Sequence, residues 1–193
     1  MLKYLFFIFM AACHPELEDT YGAPPVEIGG ETDSELYPWA TWDTCAHNVG
    51  DHPCNFSLMD QNEEIVELYQ YHGKVIVVDL STMWCSICNN IATKGDEWVA
   101  AYGEDDFIWI TVLIEDSIGE SPSLLDLQLW SSTYGIDIPV LAGDRSMIDL
   151  SARTGYPCTG WPTLVVIDQE MVLRYGINGW NEGSISGWVE KLL

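Results

Sequence analysis

Two cysteines two residues apart, Cys85 and Cys88, follow the apolar run Val75-Ile76-Val77-Val78-Asp79-Leu80. Far downstream, Gly160-Trp161-Pro162-Thr163 precedes a second such run, Leu164-Val165-Val166-Ile167. If a helix starts at the first cysteine, side chains at i and i+3 meet, so the pair can close a disulfide without rearranging the backbone. Such a pair is a reversible two-electron switch that needs neither cofactor nor metal. A thiol at a helix N-terminus also faces unpaired N–H groups and the positive end of the dipole, which favours thiolate and marks Cys85 as the nucleophile.

The chain that must position these groups has 193 residues, 48% of them hydrophobic and nine of them Trp, enough for one globular domain with a full core. Thirty acidic residues against seven basic ones leave a net charge of -23. That charge repels nucleic acid and anionic lipid head groups, and a partner drawn in by electrostatic steering is basic.

The first twelve residues read as a signal peptide. Met1-Leu2-Lys3 is a short basic start, Tyr4 to Met10 an apolar stretch shorter than the roughly 20 residues that cross a bilayer, and Ala11-Ala12 a small-residue cleavage site. Met10-Ala11-Ala12-Cys13 resembles a bacterial lipobox, in which Cys13 becomes the lipid-modified first residue of the mature chain. His14 rather than Asp follows it, which leans towards the outer membrane. Residues 13–37, with Pro15, Pro24, Pro25, Gly29 and Gly30 among acids, read as a flexible tether. Residues 38–193 are then the folded domain, held to the membrane by the lipid alone.

Export turns the cysteines towards disulfides, because these persist outside the cytoplasm. Cys85 with Cys88 is the redox pair, and Cys45 with Cys54 closes a short loop as a structural bridge. Cys158 is left over, with pairing to Cys45 or Cys54 as the alternative.

Asn55 to Leu58 and Glu64 to Leu68 read as a hairpin around Met59-Asp60-Gln61-Asn62-Glu63. Val75 to Leu80 and Phe107 to Ile114 are buried strands. A helix is expected from the cysteine pair to about Tyr102, with Ile87, Ile91, Trp98 and Tyr102 on one face. Further helices are expected over 121–134, 144–154 and 181–193, with extended segments at 138–141, 163–168 and 172–175. Apolar strands alternating with helices imply an α/β fold, a central sheet covered by helices on both faces.

With Gly73-Lys74-Val75-Ile76-Val77-Val78, Met83-Trp84-Cys85-Ser86-Ile87-Cys88, Tyr156 through Thr163 and Val165-Val166-Ile167-Asp168 in this order, residues 49–193 resemble the thioredoxin fold. The match is closest to its TlpA/ResA branch of membrane-tethered thiol-disulfide oxidoreductases. The resemblance implies a thioredoxin-like fold with a central mixed β-sheet and an N-terminal β-hairpin extension. It makes Cys85 the attacking thiol, Cys88 the resolving thiol and Pro162 a cis-proline facing them. Proline suits a cis bond, which costs it under about 1 kcal/mol. The backbone of Trp161 is expected to pair with an extended substrate chain, with Trp84, Trp161 and Thr163 as substrate contacts. Asp79 matches the buried acid that takes the proton of the resolving thiol. Partner proteins bearing thiols or disulfides and an upstream membrane or periplasmic thiol donor follow from the same resemblance. Ser86-Ile87, Asn89-Asn90 and Thr93 depart from the family's usual residues, which leaves the reduction potential open.

Two other readings fit parts of the pattern. Thr82-Met83-Trp84-Cys85 places a Thr three residues before a cysteine, as in peroxiredoxin-like thiol peroxidases, but Val78 stands where that motif has proline. The activating arginine would be Arg145, Arg153 or Arg174. A copper or zinc chaperone would use Cys85 and Cys88 as soft ligands, with Cys158 as the available third ligand because no His follows His72.

Overall fold

The computed structural model describes residues 36–193. The signal peptide, Cys13 and nearly all of the tether lie outside the described residues. Tyr37 packs onto the domain: its phenol donates to Glu67 at 2.9 Å and its ring lies edge-on against Tyr69.

The hairpin forms as β1 (Ser57–Met59) and β2 (Ile65–Glu67), antiparallel with Leu58 opposite Val66. Asp60 makes its turn by accepting from the backbone N–H groups of Asn62 and Glu64 at 2.8 and 2.9 Å. A 3-10 turn, Leu68–Tyr71, leads into β3 (Val75–Thr82), buried along its whole length. The chain continues through α1 (Ser86–Ile91), α2 (Lys94–Tyr102), β4 (Phe107–Glu115), α3 (Leu124–Tyr134) and β5 (Val140–Ala142). A second 3-10 turn, Arg145–Met147, is followed by β6 (Thr163–Ile167), β7 (Leu173–Asn178) and α4 (Glu182–Leu192). The sheet order is β5-β4-β3-β6-β7; β5, β4 and β3 are mutually parallel, while β6 pairs antiparallel with both β3 and β7. This is the mixed sheet of the thioredoxin fold.

Strand parity divides the core in two. Val75, Val77, Trp109, Leu164 and Val166 face a layer holding Ile91, Trp98, Leu127, Trp130, Ile185 and Val189, so α1, α2, α3 and α4 cover the same face. The parallel path β3 to β4 to β5 runs in one direction across the sheet, and right-handed crossovers then put each connecting helix on the same side. Ile76, Val78, Leu80, Ile110 and Val112 face the hairpin, Tyr69, Met147 and Tyr156. Among the described residues, helical cover on this second face is limited to the two 3-10 turns.

Two expected helices come out differently. The segment from Cys85 to Tyr102 is two helices separated at Ala92 and Thr93, although both residues stay right-handed, and Gly95 of α2 lies so close to the sheet that a Cβ would sit 2.2 Å from Ile138 Cδ1 and 2.9 Å from the Trp109 ring. Ile87, expected on the core face, is 44% exposed. The second is residues 144–154, which form only the 3-10 turn and a loop. Asp149 accepts from the backbone N–H groups of Ser151, Arg153 and Thr154, and Asp149 and Tyr156 pair across the loop at 3.1 Å. An aspartate that captures the next N–H groups competes with the helical ladder.

Candidate active site

β3 ends with a register shift between Ser81 and Thr82, and the chain turns through Met83 and Trp84 to Cys85, which is the N-cap of α1. Both thiols are free. Cys85 reaches the surface with 9% exposure, while Cys88, one turn on, points inward at 0%. The expected i and i+3 pairing is therefore present, with the two sulfurs in unequal surroundings.

Facing them is the loop ahead of β6. The Trp161–Pro162 peptide bond is cis, and the Trp161 carbonyl accepts from Cys85 Sγ at 3.7 Å. Asn178 at the end of β7 holds this loop: its Oδ1 accepts from the N–H groups of Thr159 and Gly160 at 2.6 and 3.2 Å. The Thr163 hydroxyl lies between Gly160 O at 2.8 Å and Asn178 Oδ1 at 2.9 Å. Thr163, expected among the substrate contacts, is only 2% exposed, so its side chain shapes the loop instead. Gly179 closes the arrangement by donating to the Pro162 carbonyl at 2.6 Å.

Asp79 lies beneath the pair on the helix-facing side of β3, opposite Thr111 of β4. It is 1% exposed, and burial pushes its carboxyl up to about 7. The Ser81 and Thr111 hydroxyls oppose that shift; of the two, only Ser81 has full hydrogen-bond geometry, donating to Asp79 Oδ1 at 2.7 Å. Burial also raises the Cys88 thiol well above the ordinary thiol range, and the charge of Asp79 raises it further. The Ser81 hydroxyl and the Thr82 backbone pull it back down.

The rim is apolar and braced. Trp84 is 50% exposed, and its indole N–H donates to Glu115 Oε2 at 2.7 Å. Glu115 is buried at the end of β4, with its other oxygen paired to the exposed Arg145. Arg145, Ile148, Leu150, Cys158 and Thr159 line a shallow groove that ends on half-buried Trp161. Cys158 remains a thiol, donating to Gly160 O at 3.4 Å, while Cys45 and Cys54 are bridged with an S–S distance of 2.02 Å. Sequence reading missed Ser81, Glu115 and Asn178. Ser81 had a signal, since it stands two residues after Asp79 and therefore on the same strand face. Glu115 and Asn178 act on groups 31 and 15 to 19 residues away, with no local pattern to flag them.

A redox-spaced cysteine pair at a helix start, opposite a cis-proline on a thioredoxin-type sheet, defines a thioredoxin-fold thiol-disulfide oxidoreductase. Comparison with known proteins agrees. The profile of the AhpC/TSA family matches residues 49–176, and the chain belongs to that family. An uncharacterized protein of Haemophilus influenzae is 27% identical over 122 residues, 63% of this chain and 75% of that one. The exposed lipoprotein thioredoxin of Streptococcus pneumoniae is 30% identical, with a TM-score of 0.56 over 72% of this chain and 99% of that structure. A Chlorobium tepidum structure described as a thiol:disulfide interchange protein, DsbE, shares the fold at 18% identity, with a TM-score of 0.60 over 76% of this chain and 96% of that one.

Proposed function

We propose that this protein reduces disulfides in partner proteins outside the cytoplasm, with Cys85 attacking and Cys88 resolving. The observation that carries this reading is the inequality of the two thiols: Cys85 keeps 9% exposure against the Trp161 carbonyl, and Cys88 has none. Cys85 thiolate attacks one sulfur of a substrate disulfide and releases the other as thiolate. The mixed disulfide lies against Trp161 and Pro162, where a substrate in extended conformation can pair with the Trp161 backbone and rest on Trp84. Cys88 then gives its proton towards Asp79 and attacks Cys85 Sγ. The substrate leaves as a thiol, and the Cys85–Cys88 disulfide waits for a membrane or periplasmic thiol donor.

Location rests on separate support. The lipobox-like Met10-Ala11-Ala12-Cys13 fits a lipid anchor in the bacterial envelope, as in the streptococcal lipoprotein relative. The Cys45–Cys54 bridge suits an oxidising compartment. The outer membrane is the preferred site, on the strength of His14.

The peroxidase alternative needs an arginine at the Cys85 thiol; of its three candidates, Arg145 pairs with Glu115, Arg153 donates to Ser151 and Arg174 pairs with Asp168. For the metal-chaperone alternative, no three potential metal ligands converge among the described residues.

The test is insulin-type disulfide reduction with single variants. Cys85→Ser should abolish it, and Cys88→Ser should accumulate mixed disulfides visible on non-reducing gels. Full activity in either variant would remove the oxidoreductase cycle as written. A Cys85–Cys88 potential well below about -200 mV supports a reductase, whereas one near about -120 mV makes the protein an oxidant.

A further inference from the structure

Beyond Trp161 the active-site rim continues into the shallow groove lined by Arg145, Ile148, Leu150, Cys158 and Thr159, with a volume of about 420 Å³. A single exposed leucine is ordinary on a protein surface and needs no ligand to explain it. Leu150 differs in its setting. It is 70% exposed on a loop that is pinned from within: Asp149 accepts from the backbone N–H groups of Ser151, Arg153 and Thr154. Backbone bonds from Asp149 N to Tyr156 O at 3.1 Å and from Tyr156 N to Met147 O at 2.7 Å tie the base of the loop. The leucine therefore stands on a preformed wall, and a ligand that covers it has little of the loop left to order. At Trp161 the groove meets the reacting centre, because the Trp161 carbonyl accepts from Cys85 Sγ at 3.7 Å. It is thus continuous with the place where a substrate sulfur must sit. Arg145 brings no unpaired charge to it, since its guanidinium pairs with the buried Glu115 carboxylate. That leaves apolar side chains as what the groove recognises.

We propose that the groove seats a large apolar side chain next to the reacting cysteine of an extended client chain, with Ile148 and Leu150 as the specificity-determining residues. This rests on the disulfide-reductase reading above and names its substrate class. Laying such a side chain over Ile148 and Leu150 removes apolar surface of both partners from water. Cysteine and large apolar side chains are among the most buried residues of folded proteins, so a disulfide with apolar neighbours on an accessible, extended chain belongs to a protein that has not finished folding. The substrates are therefore disulfides of unfolded or partly folded proteins. A native surface disulfide with polar neighbours gains nothing from Leu150.

The experiment measures mixed-disulfide formation by the full chain carrying Cys88→Ser, which cannot resolve the product, with symmetric peptide disulfides. Each half is a short capped peptide with one cysteine, with Leu before it, Leu after it, or Ser at both positions. One of the two Leu positions should raise the second-order rate over the Ser peptide by about tenfold, the order expected for partly burying one leucine side chain. Adding Leu150→Asp should shrink that ratio to below about twofold, and Leu150→Met, which stays apolar, should keep it; taking a ratio cancels any change in Cys85 reactivity. Cys158 gives a second readout, because it is 8% exposed in the groove wall. Its alkylation, mapped by mass, should slow severalfold in the mixed disulfide with the faster Leu peptide and not in that with the Ser peptide.

Equal rates for all three peptides would overturn the groove assignment and leave the reductase reading standing. A Leu preference that survives Leu150→Asp would also overturn it, moving the contact to Trp84 and Ile87, and so would equal alkylation of Cys158 in the two mixed disulfides. Failure of the wild-type protein to reduce even a small aromatic disulfide, which has no flanking residues, would instead remove the reductase reading and the groove assignment with it.

Discussion

Asp79 is a carboxyl that the fold holds protonated into the neutral range, and this has a cost in stability whose sign is opposite to that of a salt-bridged aspartate. Below about pH 4 the residue is protonated in both folded and unfolded chains and contributes nothing. Between there and about pH 7, the folded-state value set by burial, the unfolded chain loses its proton while the folded chain keeps it. Stability therefore falls across that window and levels off above it, by on the order of 4 kcal/mol. Asp79→Asn should raise the unfolding free energy at pH 8 and leave it nearly unchanged at pH 4. Urea titrations at the two pH values check this, and equal effects at both would mean the folded-state carboxyl is not held up. The same substitution slows resolution in the proposed cycle, so stability and turnover pull this position in opposite directions.

At the scale of elements, the tightest approach of a helix to the sheet is that of α2 to β4. Gly95 faces Trp109 and Ile138 with no space for a side chain. Gly95→Ala should lower the unfolding free energy by about 1 to 3 kcal/mol despite the better helix propensity of alanine, because overpacking outweighs a gain of about 1 kcal/mol. Chemical denaturation measures it, and a stabilised variant would show that the sheet yields at this point. Much of this scale was legible beforehand. The hairpin, the strands β3 and β4, the helices α3 and α4 and the strand after Pro162 follow from local period and turn residues. Residues 144–154 were not legible, because Asp149 redirects backbone N–H groups that a periodicity reading assigns to a helix.

The whole molecule carries a net charge of -23, and the rim around Cys85 is apolar, with Trp84, Ile87 and Trp161 and a single nearby guanidinium engaged by Glu115. Partner choice should then divide between long-range charge and short-range contact. A basic peptide disulfide should react faster than an acidic one of the same length at low ionic strength. The two rates should converge as salt rises towards about 1 M, where the Debye length is only about 3 Å. Stopped-flow mixing over that salt series checks it. A salt-independent ratio would place the discrimination in the rim instead.

What the sequence by itself determined is the chemistry and its frame: the spacing of Cys85 and Cys88, the buried acid six residues earlier, the proline that takes the cis bond, and the strands that carry them. These follow from backbone periodicity and from residue types whose properties hold in any context. Only the tertiary structure decided that Glu115 braces Trp84, that Asn178 holds the cis-proline loop, that Thr163 is buried within that loop, and that Cys158 stays a thiol. It also placed the Ser81 hydroxyl on the Asp79 carboxyl. Each of these is a contact between side chains or backbone groups whose meeting depends on how strands register and helices dock, and sequence spacing carries no record of that geometry.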